Sequence, residues 1–370
     1  MPLSTITTNS IADDAITVPK VTDQILTNRN LIINGAMQVA QRGTSGTSTA
    51  DIYTMDRFAL GHGSPVNAMT FEQSTDAPDN FKNSLKITAG TGASASTTGY
   101  AILRQAIEGQ NISHLGFGTS AAKALTLSFW VKSSLTGTFG VSVRNQAGTR
   151  AYGGTYSISS ANTWEYVTVS IPADTSGTWP TDNGIGLHLF WDLGAGSNYD
   201  IAAGSWTTGS NMFGVESTVK LTETTGATFN ITGAQLEVGD TATPFEHRSF
   251  GEELALCQRY YQKMGPFGTS DYPFGISGYV YTATQSALGG TLNIPMRIDS
   301  PTVSMPEGNM RIRHSGGTTP GYDISAINSV SGALSGSVRL DVTHTSTTAN
   351  TVCVMTNVSS SYTLRFDAEL

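Results

Sequence analysis

Apolar and polar residues alternate singly along several stretches of the chain, the period-two signature of strands with one covered face. The alternation is cleanest over Ala124–Lys132, Trp164–Ile171 and Gly186–Trp191, and a further strand is predicted over Thr228–Glu237. Turn-rich stretches such as Ala89–Gly99 and Asp192–Gly204 separate them. A strand that is apolar on one side requires a second layer against that side. Residues 31–248 are therefore expected to form a jelly-roll β-sandwich. Trp130, Trp164 and Trp191 lie in or beside these strands and are expected in its core.

One segment changes period. Ser249-Phe-Gly-Glu252 fits a capping box, in which the Ser249 hydroxyl accepts from the Glu252 amide and the Glu252 carboxylate accepts from the Ser249 amide. Leu254, Cys257 and Tyr261 then recur at helical spacing, Lys263 suits the negative end of the helix dipole, and Gly265-Pro266 stops the helix. This predicts one connecting helix over about 250–263, inside a connector spanning 249–265. Residues 266–370 return to short strands, expected at Gly275–Thr284, Gly290–Ile298, Ser337–Thr343, Thr351–Thr356 and Tyr362–Phe366, and read as a smaller C-terminal β domain. Residues 1–30 are polar with short β-branched clusters broken by Pro19. Such a segment needs a partner surface or other copies of itself to be ordered, so it is either a flexible tail or an attachment arm.

Composition sharpens the mainly β reading. Only 13% of the 370 residues are charged, while Gly reaches 40 and Thr, Ser and Asn are abundant, a mixture suited to strands joined by many turns. The 14 Phe, 13 Tyr and 5 Trp are too many for a disordered chain. A net charge of -8 without any Lys/Arg run argues against nucleic-acid binding. No apolar stretch is long enough for a membrane helix, and the N-terminal residues do not read as a secretory signal. Cys257 and Cys353 are far apart and are expected to be free, buried thiols of a chain made in a reducing cytoplasm.

Candidate chemistry is sparse. The six His are scattered, with no HExxH, no CxxC, no phosphate-binding glycine loop and no nucleophile elbow. His188, inside an alternating strand, is expected to face solvent or to be satisfied within the fold. Glycoside hydrolysis needs two carboxylates facing each other, and Asp182, Asp192, Glu165 and Glu216 cannot be paired from sequence. Asp182 and Asp192 sit beside Asn183 and Gly194, where turn duty or a structural calcium suits them better than acid–base work; no cofactor is expected otherwise. Trp179 and Trp206 fall in Gly- and Thr-rich loops. Exposed there, they would offer flat faces for sugar rings; buried, they would plug the end of the sandwich.

Several segments resemble a family of phage tail-fibre and related virion proteins of marine and cyanobacterial phages. They are Asn30-Leu-Ile-Ile-Asn-Gly-Ala-Met-Gln-Val-Ala-Gln-Arg-Gly43, Tyr53-Thr-Met-Asp-Arg-Phe58, Leu125-Thr-Leu-Ser-Phe-Trp-Val-Lys-Ser-Ser134, Ile231-Thr-Gly-Ala-Gln-Leu-Glu-Val-Gly239 and Ala242-Thr-Pro-Phe-Glu-His-Arg-Ser249, the last running into Glu252–Tyr261. The resemblance covers about residues 30–263, and Ile11–Thr17 also looks like the attachment segments of such fibres. It implies a carbohydrate-binding-module-like jelly roll in a homotrimeric virion fibre that meets a host cell-surface glycan. The N-terminal arm would join it to other tail or capsid proteins. No catalytic motif comes with it, and neither membrane insertion nor nucleic-acid binding is implied. The stripe Leu254, Cys257 and Tyr261 would then either line a trimer axis or pack on its own sandwich. A capsid fibre or decoration protein is the structural alternative. A jelly-roll polysaccharide depolymerase is the enzymatic one, and it predicts two close carboxylates beside Trp179 or Trp206.

Overall fold

Along the strand Leu125–Ser133, Leu125, Leu127, Phe129 and Val131 face a buried core, and the residues between them point the other way. The same parity runs through Glu165–Ile171, where Val169 and Ile171 face inward, and Ile185–Asp192, where Leu187, Leu189 and Trp191 do. The computed structural model describes residues 28–63, 66–93, 96–265, 273–305, 310–314, 322–345, 351–357 and 363–370. The expected arm at 1–30 lies outside the described residues as far as Thr27.

Two antiparallel sheets cover each other. The first orders its strands Ser45–Ser48, Met69–Ser74, Ser84–Ala89, Thr228–Val238, Leu125–Ser133 and Glu165–Ile171. The second runs Trp206–Thr208, Arg150–Ile158, Gly137–Asn145, Ile185–Asp192, Tyr100–Glu108, Ala59–Gly63 and Ile52–Tyr53. The chain crosses repeatedly between the sheets, giving the expected jelly-roll sandwich. Trp191, fully buried at its centre, meets Phe129 edge to face at 5.8 Å and Phe58 at 6.0 Å. Such aromatic pairs add about 0.5–1.5 kcal/mol beyond the area they bury.

Two features of the first sheet shape its outer face. The Thr228–Val238 strand slips register against Leu125–Ser133 between Thr232 and Gln235, forming a bulge at Gly233, whose φ is +61°. There Ala234 donates its amide to the Gly35 carbonyl at 3.0 Å, tying in the buried Leu31–Gly35 segment.

The helix begins as expected, with both capping-box bonds made between Ser249 and Glu252. It stops early. It spans Phe250–Gln258, and Tyr261–Met264 is a strand instead, paired antiparallel with Leu364–Asp367. A partner about a hundred residues away outweighs the local helical spacing. Thr302–Ser304 completes that three-stranded sheet.

The remaining C-terminal strands close a six-stranded barrel in the order Pro273–Thr282, Gln285–Thr291, Ser337–His344, Tyr322–Ser331, Met310–His314 and Thr351–Asn357. The strand expected over Gly290–Ile298 is displaced to Gln285–Thr291, and Tyr322–Ser331 was not foreseen. Charged groups join the end of the helix and the C-terminal residues to the sandwich. Glu108, buried, accepts from Arg259 at 2.6 and 3.0 Å and from the Tyr260 hydroxyl at 2.9 Å. The Arg57 guanidinium lies 3.5 Å from the Tyr260 ring centroid and pairs with Glu369. Both cysteines are free and buried.

Candidate functional site

The outer face of the first sheet inherits its side chains from strand parity. Trp130 falls between the core residues Phe129 and Val131, and Tyr166 precedes the inward-facing run of its own strand. Register sets Tyr166 directly opposite Trp130, and the ring centroids lie 5.4 Å apart. On the other side Trp130 pairs with Thr232, just before the bulge. Gly233 forms the floor: a Cβ there would sit 2.6 Å from Phe81 Cζ and 3.2 Å from Trp130 Cδ1. Only a residue without a side chain lets both rings come this close to the backbone.

Phe81, Phe245 and His247 form the facing wall, with Phe81–Phe245 at 5.1 Å, Phe81–His247 at 5.3 Å and Phe245–His247 at 4.9 Å. Together with Asp79, Asn80 and Thr243 these rings enclose a groove of about 500 Å³. Tyr166 is 45% exposed, Trp130 is half-buried, and neither the Trp130 indole nor the Tyr166 hydroxyl makes a hydrogen bond among the described residues. Flat apolar faces with free polar edges suit a ring that is apolar on its faces and hydroxylated round its rim. At the edge of this face Asp76 accepts from the Trp164 indole at 3.0 Å and from Lys132, whose hydrogen bond is the chief reason its carboxyl is held below the usual 3.8.

The five tryptophans thus sort differently from expectation. Trp191 is core, whereas Trp130 and Trp164, expected in the core, are half-buried on the outer side. Trp179 is only 7% exposed; its indole donates to Asp174 Oδ2 and to the Ser176 carbonyl, both at 3.2 Å. Trp206 remains half-buried and donates to the Pro172 carbonyl at 2.9 Å. The two meet edge to face at 5.7 Å and both contact Phe117, plugging the end of the sandwich. The carboxylate beside Trp179, Asp174, is buried and gripped by Arg150 through Nε and Nη2. The strand parity of Trp130 and Tyr166 was the available signal for the groove; the approach of Phe81, Phe245 and His247 had none.

The helical stripe also has its own covering. Cys257, 1% exposed, clusters with Ile33, Val39 and Tyr260 of the same chain, and Leu254 packs against that cluster. Tyr261, 2% exposed, sits in the strand beyond the helix, with the Arg42 guanidinium 3.7 Å from its ring centroid. Cys257 and Tyr261 therefore face their own fold, because the chain leaves the helix before Tyr261 could extend the stripe.

Asp192 and Asp182 serve turns. Asp192 accepts the Gly194, Ala195 and Val215 amides at 2.8–3.1 Å and pairs with Lys220 at 2.9 Å, so an ammonium stands against it. Asp182 Oδ1 accepts from the Gly184 amide at 2.9 Å. Among the described residues no cluster of three His, Cys, Asp or Glu could hold a metal ion. Nor is any described helix long and apolar enough to cross a membrane.

No family model matches the chain, and no curated protein matches it in sequence. Solved structures resemble about half of it. The enzymatically active domain of bacteriophage CBA120 tailspike protein 4 matches with 14% identity and a TM-score of 0.30, over 57% of this chain and 21% of the tailspike chain. A family 11 carbohydrate-binding module of the Clostridium thermocellum cellulase Lic26A-Cel5E matches with 14% identity and a TM-score of 0.27, over 55% of this chain and 98% of the module. The CBM22-1 xylan-binding domain of Paenibacillus barcinonensis Xyn10C matches with 9% identity and a TM-score of 0.24, over 58% and 96%. These likenesses transfer no residue, ligand or activity to this chain.

Proposed function

We propose that the chain is a non-enzymatic structural protein of a phage particle, a tail fibre or receptor-binding fibre that attaches to host-surface glycans through the Trp130–Tyr166 groove. The observation that carries the glycan part is Trp130: of the five tryptophans, it alone combines partial exposure with an uncommitted indole N–H, and it lies beside an exposed tyrosine over a glycine floor. Of the carboxylates considered for hydrolysis, Asp182, Asp192 and Glu165 are engaged in turn hydrogen bonds and Glu216 is exposed, which supports binding without chemistry. The particle part is supported by the resemblance of residues 30–43, 231–239 and 242–249 to virion fibre proteins. A homotrimer suits it, because tethering weak sugar sites raises avidity by roughly 10²–10⁴.

The test is a glycan array probed with the purified full chain, alongside its mass in solution by light scattering. Binding to a defined oligosaccharide class that is lost in Trp130→Ala, on a trimeric species, is the expected result. A monomer that binds no glycan would overturn the proposal.

A further inference from the structure

On this acidic chain the outer face of the second sheet carries a concentration of positive charge. Register sets Arg144 directly opposite His188, and Phe190 directly opposite Arg104. All four lie on the side away from the core residues Leu187, Leu189, Leu103 and Val143. Ala106, opposite His188, keeps the floor between the cations low. Phe190 stacks on His188 at 5.4 Å, and the Arg144 guanidinium carbon lies 5.0 Å from the Phe190 centroid and 5.9 Å from that of Phe213. Ser142 fixes the covering loop by donating to the Phe213 carbonyl at 2.8 Å.

Of the two arginines, one is compensated from within and the other is not. Arg104 pairs with Asp51 at 3.2 Å. Arg144 makes no hydrogen bond or ion pair among the described residues, and its buried Nε is without a partner. His188 was expected to be exposed or satisfied; it is 6% exposed, and its buried Nδ1 has no partner. Burial, then Arg144 and Arg104, pushes the His188 pKa down to about 3, so the ring is neutral at physiological pH. Burial and then Arg104 lower Arg144 to about 10. A desolvated guanidinium without a counter-ion is costly to a fold, and an anionic ligand would remove that cost.

We propose that Arg144, His188 and Arg104 form a subsite for an oxyanion borne on a sugar, a uronate carboxylate or a sulfate ester, with the buried Phe190 ring backing the Arg144 guanidinium from beneath. The terminal nitrogens of Arg144 supply a planar fork matched to either group. Neutral His188 supplies a single N–H from Nε2, which leaves Nδ1 as an acceptor. This inference rests on the reading that the chain binds glycans, but it uses the sheet opposite the Trp130 groove.

The test is calorimetric titration of the full chain with oligogalacturonate, with a sulfated galactan oligosaccharide and with neutral cellohexaose, at low and high salt. At least one anionic ligand is expected to bind, more weakly as salt rises, and Arg144→Gln is expected to lower its affinity about 10- to 100-fold. Preference for galacturonate or for the sulfated ligand identifies the source of the anion, and either supports the subsite. Should Arg144→Gln fail to fold, His188→Gln is the second variant, with a loss in the same direction. Anionic ligands that bind no better than cellohexaose, or that bind both variants as tightly as the wild type, would overturn it. Failure of every ligand here and on a glycan array would instead sink the glycan reading itself.

Discussion

At the end of the sandwich, Trp179 and Trp206 meet Phe117 edge to face and commit their indole N–H groups to Asp174, Ser176 and Pro172. On the outer face of the first sheet, Trp130 and Tyr166 lie side by side over Gly233 with their polar ends free. Both clusters are aromatic and both sit near the chain surface. The difference is what each ring's polar edge touches: satisfied edges mark a plug, and free edges on partly exposed rings mark a place for a ligand. Loop position and glycine content, which singled out the first pair, do not report this.

The comparison can be broken in four ways, from the largest expected effect to the smallest. Trp179→Ala removes a buried ring and leaves Asp174 without one of its donors; a loss of about 3–5 kcal/mol is expected in denaturant unfolding. If the folded fraction of this variant lost glycan binding, the plug would be part of the site. Gly233→Ala places a methyl group against Phe81 at a positive φ, and a loss of about 1–3 kcal/mol is expected together with weaker glycan binding. Unchanged binding would show that the floor does not position the rings.

Trp130→Ala reverses the balance. Stability should change by less than about 1 kcal/mol, because the ring is half-buried, while affinity falls about 10-fold. Asp76→Asn is the mildest. The Asp76 carboxyl is held below 3.8 by Lys132 and then Trp164, so its contribution is present above pH 3.8 and is lost as pH falls through the depressed value. The pair is part-exposed, so only a few tenths of a kcal/mol are expected at pH 7, shrinking in unfolding curves as the pH is lowered below 3.8. A gap that widened in acid would contradict the assignment.

Much of this was legible in the residues. The alternation of Leu125, Leu127, Phe129 and Val131 fixes both the sandwich and the outward direction of Trp130, although a tryptophan inside so apolar a strand reads naturally as core. The capping box Ser249–Glu252 was visible because its two bonds are local. The helix end was not, because Tyr261–Met264 pairs with Leu364–Asp367 from the far end of the chain. The groove wall shares that difficulty: Phe81 and Phe245 come from distant segments, and only the fold brings them to Trp130. Arg144 and His188 carried no signal, since their apposition depends on the register of strands more than forty residues apart in sequence.

The most direct measurement is hydroxyl-radical footprinting of the full chain, read by mass spectrometry at each tryptophan and tyrosine, with and without an oligosaccharide that it binds. Protection of Trp130 and Tyr166, with Trp179 and Trp206 unchanged, is the expected result. Protection of Trp206 with Trp130 left fully reactive would contradict the account and return the ligand to the loops at the end of the sandwich.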